Sequence, residues 1–568
     1  MGKLTPTQAA KYARLSTHQS AGMKKVAALG TRAGTNVERD LHRRLKCLSS
    51  VEPMLIRVPI KDVHKTGKVE MDLACLAPYE IFSELYRAGW GNFEASMLGP
   101  SGAAAATEFW DHSLRCSWGR AHQANNALFK SRSKLIPLSF FSDGIAVYTN
   151  RDFNVFLMKS QLVWEGDVMD VVYFIAVLET ILMTPATRRV IANFEIWNMR
   201  VLEGLIHPPK GFDRDFTDSR RIKRSGTLIA SGWGATFSSL NHDIVEETKL
   251  HMFQRNYLCN FLCKRCLGNR HLDVGCAYNM SASRDVGDLL CDHAHYLATT
   301  PFGQQSVWVN EPSWTIERNI GDGLHMMWLG VGKDLGAQLL DDLVVRAMYM
   351  DSCSYDDALA WHYTYIKQLY KRRGCHFGAQ PFTIRTVGFD KSADSTRNAS
   401  YPSLEKRMKG AHCKQLVMAL CEMVVAVFLS GADASEYSRL RAVCAWNFYM
   451  HIHTLTHAPL LLDDIDAKSA HGYGWGFLEA YHKLAVDAYR DKLLKYKLRP
   501  KFHYWSHVVD DLVVTYMNPL RCDSFIFEDM CGKVKKMCRS CHPKTLSLRC
   551  AQRVLLMLAM RWRKHRLQ

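Results

Sequence analysis

Residues 135–178 read LIPLSFFSDGIAVYTNRDFNVFLMKSQLVWEGDVMDVVYFIAVL. β-branched and aromatic residues fill Leu135 to Tyr148, Phe153 to Trp164 and Val168 to Leu178. Turn formers separate them at Thr149-Asn150-Arg151-Asp152 and at Glu165-Gly166-Asp167. The pattern predicts a three-stranded antiparallel meander. Helical periodicity resumes from Ala186 to Ile206, so the class expected here is mixed α/β.

Outward from this stretch the chain changes character several times. Lys3 to about Phe129 has a mainly helical pattern, with a small-residue run at Gly99 to Thr107. After the meander come a basic connector, Asp213 to Gly226, and a Cys/His-rich patch, Cys259 to His295. Val307 to Leu329 reads as a short strand leading into a helix. Helical patterns then dominate from Lys333 to about Leu494, broken by a polar loop at Lys391 to Pro402, and Pro500 to Gln568 is helical and increasingly basic. Four regions are expected: 1–130, basic and mainly helical; 131–335, with a Cys/His-rich insertion at about 226–305; 336–499, a helical insertion; and 500–568.

With 568 residues, 48% of them hydrophobic and 23% charged, the chain has the composition of a folded globular protein rather than a disordered tail or a coiled coil. Its longest apolar stretches, Asp170 to Met183 and Leu416 to Ser430, are interrupted by Glu179 and Glu422, so no membrane span is expected. The opening Met-Gly-Lys-Leu-Thr-Pro lacks an apolar secretion signal, and Pro6 stands where a myristoylation signal takes Ser or Thr. The expectation is an intracellular protein whose 18 cysteines are reduced or bind metal. Formal net charge is +18, of which residues 1–50 carry +8 and residues 531–568 carry +11, leaving a nearly neutral body. Basic ends of this kind suit a polyanion, because each cation placed on a phosphate releases a condensed counterion. Candidate phosphate contacts are Arg220, Arg221, Lys223 and Arg224 in the connector and Lys533, Lys535 and Lys536 near the end.

Three acids stand out by context. Asp143 interrupts an otherwise apolar strand, where a carboxylate is costly to bury unless it is paired or holds a metal. Asp322 lies three residues before His325, which lets the two share a helical face. Glu528 sits on an amphipathic helix preceded by apolar residues, where the helix dipole alone would also favour an acid. A strand Asp, a strand-end Asp and a helical Glu, in that order, are the parts of a ribonuclease-H-like two-metal site, whose hard carboxylate ligands suit Mg²⁺ or Mn²⁺.

These residues carry a resemblance. Phe140-Phe141-Ser142-Asp143-Gly144 resembles the segment around the first catalytic Asp of CACTA-type (En/Spm-like) DDE transposases. The run from Asp322 through His325 to Leu329-Gly330-Val331 resembles their Asp-x-x-His block. Pro500-Lys501-Phe502-His503-Tyr504-Trp505-Ser506-His507 is similar to their Pro-Lys-x-His-x-x-x-His segment, and Phe527-Glu528 with Lys535 to their Glu helix and downstream lysine. Ser142, Ile526 and Cys531 depart from the family's usual glycine, arginine and histidine. The resemblance covers about Leu135 to Arg553 and implies a ribonuclease-H-like mixed sheet with large, mainly helical insertions and basic helical termini. Separations of 179 residues between the two Asp and 206 between Asp322 and Glu528 fit such insertions. It further implies a nuclease and strand transferase in which Asp143, Asp322 and Glu528 bind two Mg²⁺ or Mn²⁺ ions. His325 would orient the scissile phosphate or a metal-bound water. The implied partner is double-stranded DNA, both transposon ends and target, with no membrane, with a further copy of the chain as a candidate partner and with a nuclear location. The alternative is a catalytically inactive, domesticated descendant that binds DNA or protein.

Cys263-Lys264-Arg265-Cys266 is a C-x-x-C, and Cys291 and His293 follow it after 24 intervening residues. Tetrahedral zinc would accept this set, with Cys259, Cys276 and His295 in reserve, and reduced buried cysteine is the alternative. Cys538-Arg539-Ser540-Cys541-His542 matches a haem-attachment string, which needs export, so a reduced helix-plus-loop segment is expected there. His453 and His457 have i,i+4 spacing but lack the Glu of a zincin helix. Neither a P-loop nor a dinucleotide glycine fingerprint is present.

Overall fold

The computed structural model describes Ala10, Ala13, Arg14 and residues 51–62, 68–126, 132–251, 253, 255–271, 276–281, 290–319, 322–390 and 399–566. Most of the basic segment 1–50 and of the polar loop 391–402 lies outside the described residues. The chain is mixed α/β, with a small mixed sheet and large helical regions. It divides into two compact units, one formed by 1–108, 129–238 and 526–568 and the other by 109–128 and 239–525. The sheet-bearing unit therefore ends at Ser238 and resumes at Ile526, whereas the sequence set those boundaries near 335 and 500.

In the first unit the meander is present as β3 (Leu135–Tyr148), β4 (Arg151–Ser160) and β5 (Val172–Glu179). β3 and β4 pair antiparallel with Asp143 opposite Val155, and β4 pairs antiparallel with β5. The sheet is completed by β6 (Gly234–Leu240) beside β3, giving the order β5-β4-β3-β6. Every residue of β5 and of β6 is buried, as expected for a sheet covered on both faces. β3 is buried from Leu135 to Ser142 and alternates between inside and outside from Asp143 onward, so Asp143 sits where the strand leaves the core.

The helix Pro185–Glu203 makes the crossover between β5 and β6. Its start is set by Thr184, whose hydroxyl accepts from Thr187 N while the Thr187 hydroxyl accepts from Thr184 N, with Pro185 in the first turn. The last helix, Leu546–Arg566, packs on β5 and buries Cys550, Val554, Leu558 and Trp562. It is an integral layer of this unit rather than a tail.

One expectation for the N-terminal region fails. Instead of helix throughout, β1 (Met54–Lys61) and β2 (Lys68–Cys75) form an antiparallel hairpin, with Met54 paired to Cys75 and Val58 to Met71. Met54, Ile56 and Val58 are buried while Leu55 and Arg57 are exposed, a period-2 pattern that decides for strand.

The second unit is helical. Gly410–Leu429 packs on Gly332–Asp351 and Glu436–His457; the latter packs on Asp464–Arg490, which packs on Pro500–Thr515. By length and composition alone Gly410–Leu429 could cross a membrane, contrary to the sequence expectation; in the fold Cys413, Leu416, Val417, Leu420 and Val424 line the core, and Glu422 pairs with Arg373 at 2.6 Å. The strand expected within Val307–Leu329 is also missing among the described residues. Short 3₁₀ turns at Val307–Asn310 and Ile316–Arg318 take its place, anchored by buried Trp308 and Trp314, and only a single parallel bridge, Asn319 to Leu240, precedes Asp322. Asp322 is therefore not a strand-end residue but the lead-in to a helix.

Candidate functional site

In the sheet-bearing unit, two of the three acids are brought to the same place. Phe141, two positions before Asp143 on β3, stacks on Phe527, the neighbour of Glu528 on the helix Phe525–Cys538. The ring centroids are 4.7 Å apart. Residues i and i+2 of a strand share a face, so the stack sets Asp143 toward the helix that carries Glu528. Cys531, one turn after Glu528, reports on both carboxylates: burial pushes its thiol well up, and the charges of Glu528 and Asp143 push it further. Asp143 and Glu528 are themselves half-buried, and Asp143 Oδ1 accepts from Gly144 N at 2.6 Å.

Asp322 belongs to the helical unit and is buried. Ser524 donates to its carboxylate from both Oγ (2.7 Å) and N (3.3 Å), and Leu324 N donates at 2.9 Å. His325 Nδ1 lies 2.5 Å from Asp322 Oδ2. Burial by itself would raise the Asp322 carboxyl; the His325 hydrogen bond and charge, with the Ser524 and Leu324 donors, outweigh it and hold the group below its ordinary value. An ionised Asp322 on Nδ1 fixes that nitrogen as the donor and sets the orientation of the His325 ring.

The same unit holds a four-residue cluster that the sequence only half located. Cys263, Cys266, His503 and His507 are all buried, and their ligand atoms lie within 4.8 Å of one another. Cys266 Sγ is 3.2 Å from His503 Nε2, which is 3.2 Å from His507 Nε2. The C-x-x-C forms a knuckle in which Arg265 N donates to Cys263 Sγ and Gly268 N to Cys266 Sγ, each at 3.3 Å. Glycine at 268 leaves room for the cluster: a Cβ there would sit 3.0 Å from His503 Cε1 and 3.1 Å from Cys266 Sγ, so the two side chains would have to shift by a few tenths of an ångström. His503 Nδ1 donates to Ala277 O at 2.9 Å, which turns Nε2 into the cluster as a lone-pair donor. Burial would raise the Cys263 thiol, yet the Cys266 hydrogen bond and the two histidines hold it well below its usual range, toward the thiolate that binds metal. A small cavity of about 50 Å³ is lined in part by Cys263 and His507.

Cys291 and His293 are not members of this cluster. Arg255 Nη1 donates to Cys291 Sγ at 2.9 Å, while the His293 backbone N–H donates to Glu317 and its ring stacks on Tyr296. His503 and His507 take their place because an i,i+4 pair on the helix Pro500–Thr515 puts both rings on one face. That H-x-x-x-H spacing was the signal available in the sequence. The pair His453 and His457, of identical spacing, is exposed, and His457 Nδ1 bonds only its own helix at His453 O.

Several candidate phosphate contacts are engaged within the protein. Arg221 donates from Nε and Nη2 to the buried Glu80 carboxylate at 2.7 and 2.8 Å. Lys533 Nζ pairs with Asp167 at 3.3 Å. Among the remaining candidates Arg220, Lys223 and Lys536 are exposed, and Arg224 and Lys535 are partly so. In the last helix, Arg561 forks onto Asp170 with two 2.7 Å bonds. Cys538, the first residue of the haem string, and Cys550 lie with their sulfurs 3.9 Å apart in the interior of the sheet-bearing unit.

No protein-family model matches the chain, and no curated protein matches it.

Proposed function

We propose that the chain is a DDE-type DNA transposase-like enzyme, a phosphodiester nuclease and strand transferase that cuts transposon ends and joins them to target DNA. The observation that carries the reading is the packing of the Asp143 strand against the Glu528 helix, through Phe141 and Phe527, at the point where β3 leaves the core. The Asp322 segment supports it: a buried, ionised carboxylate clamped by Ser524, which stands four positions before Glu528 in the chain.

Two Mg²⁺ or Mn²⁺ ions held by Asp143, Asp322 and Glu528 would polarise the attacking and leaving oxygens of an in-line phosphodiester displacement. His325, with Nδ1 held by Asp322, would orient the scissile phosphate or a metal-bound water. Lys223, Arg220 and Lys536 are the exposed cations suited to backbone phosphates. On this reading the protein acts in the nucleus.

The buried Cys263, Cys266, His503 and His507 set suits zinc. Mixed sulfur and imidazole donors select it over Mg²⁺, and four protein ligands make a closed, structural centre rather than a catalytic one.

The test is divalent-metal-dependent nicking and strand transfer on duplex DNA bearing candidate terminal repeats, comparing native protein with Asp143→Ala, Asp322→Ala and Glu528→Ala. Each variant is expected to bind DNA and fail to cut. A native protein that binds DNA yet never cuts, on substrates cut by an active relative, overturns the enzymatic reading in favour of a domesticated binding protein.

A further inference from the structure

We propose that Lys501 is a positioning residue for Asp322 and His325, a plug whose ammonium closes a break in the helix behind them and ties that helix to the metal centre. The inference rests on the reading above in assigning Asp322 and His325 to the reacting site and an ion to the Cys263, Cys266, His503 and His507 cluster.

The segment Leu324–Val331 is wound as a π-helix and broken at Gly330, whose φ of −129° and ψ of −105° are not helical. A break of this kind strands carbonyl groups that an unbroken helix would satisfy, and such groups need donors when buried. Lys501 Nζ supplies them, donating to His325 O at 2.7 Å and to Leu329 O at 3.1 Å. Its aliphatic stem crosses the space left by the missing side chain at 330. A Cβ there would lie 2.5 Å from Lys501 Cδ and 3.1 Å from His325 O. Gly330 and Lys501 thus form one device: the glycine opens the gap and the lysine fills it.

The device has a second attachment. Lys501 lies in the first turn of the helix Pro500–Thr515, which also carries His503 and His507. A helix is stiff over one or two turns, about 5.4 Å each, so an ion held by the two histidines also fixes the turn that presents the ammonium. Asp322 is gripped in front by Ser524, and His325 is gripped behind, at its carbonyl, by Lys501. The imidazole that bonds Asp322 and the carbonyl that receives the lysine belong to the same residue.

Full-length protein is compared as native, Lys501→Met, Lys501→Arg and metal-stripped, by hydrogen exchange of peptides covering 324–331. The absorption of cobalt in the Cys/His centre and the Mg²⁺ concentration for half-maximal nicking are read in parallel. Lys501→Met, which keeps the stem and loses the donors, is expected to speed exchange there about tenfold or more while leaving the cobalt spectrum unchanged and raising the Mg²⁺ requirement. Lys501→Arg restores protection in part, and stripping the metal from native protein speeds exchange in the same segment. Unchanged exchange in Lys501→Met, or protection unaffected by metal removal, overturns the proposal. Faster exchange in a protein that cuts no DNA supports the plug and overturns only the catalytic reading.

Discussion

The rings of Phe141 on β3 and Phe527 on the helix Phe525–Cys538 stack with centroids 4.7 Å apart and planes 6° from parallel. Both are buried, and each sits within two positions of an acid, Asp143 or Glu528. Phe527→Leu keeps the core filled but removes the flat surface. It is expected to cost about 1–1.5 kcal/mol in stability and, by displacing Glu528 relative to Asp143, to lower nicking by about a hundredfold. Denaturant unfolding and a nicking assay on one preparation check the two effects. A loss of stability with undiminished nicking would show that the stack is mere packing.

The proposed zinc centre separates two sets of candidate ligands. Cys266→Ser and His503→Ala are expected to abolish stoichiometric zinc and to lower the thermal midpoint, since structural zinc contributes directly to folding. Cys291→Ala and His293→Ala are expected to retain the ion. Metal analysis of the four purified variants decides, and retention of zinc by His503→Ala would remove His503 from the centre.

Glu195 is buried in the sheet-bearing unit, and burial pushes its carboxyl up to about 8. Because the folded form holds this proton more tightly than the unfolded chain does, its contribution to stability is complete below about pH 4.5 and is lost as pH rises through about 8. Glu195→Gln is therefore expected to match native stability near pH 4.5 and to exceed it by about 3–5 kcal/mol near pH 9. Urea unfolding at the two pH values measures the difference, and equal stability at both would place a compensating cation on Glu195.

Asp342 anchors the helical unit. It receives Lys495 Nζ at 2.5 Å and the hydroxyls of Tyr437 and Tyr496 at 2.9 and 3.0 Å, with Arg441 at 3.6 Å. Burial raises its carboxyl, but the Lys495 and Arg441 charges dominate and keep it ionised. Asp342→Ala removes the carboxylate on Lys495 and leaves the buried Arg441 with only the more distant Asp433, at 3.9 Å, and is expected to cost about 3–5 kcal/mol. Circular dichroism during urea unfolding is the measurement; a cost under about 1 kcal/mol would mean that water replaces the carboxylate.

How much of this was legible in the sequence depends on range. The meander was, because three runs of β-branched and aromatic residues buried on both faces leave few other solutions. The hairpin β1–β2 was not: its alternation is short and broken by Pro59. The C-x-x-C was a local signal and half the centre. His503 lies 237 residues beyond Cys266, so a search along neighbouring sequence met Cys291 and His293 instead, of which Cys291 receives Arg255 and His293 stands outside the cluster. Arg221 and Lys533 looked like phosphate ligands for a similar reason, since sequence shows the cation but not Glu80 or Asp167 beside it.

The central claim is that Asp143, Asp322 and Glu528 hold the same pair of metal ions. Iron-mediated hydroxyl-radical cleavage tests it most directly: Fe²⁺ replaces Mg²⁺ in the DNA-bound full-length protein, ascorbate and peroxide are added, and the backbone cuts are mapped. The expected result is three clusters of cuts, around 143, 322 and 528, all suppressed by excess Mg²⁺ and all lost together in Asp143→Ala. Cuts around 143 and 528 with none near 322, or cuts near 322 that survive Asp143→Ala, would contradict it.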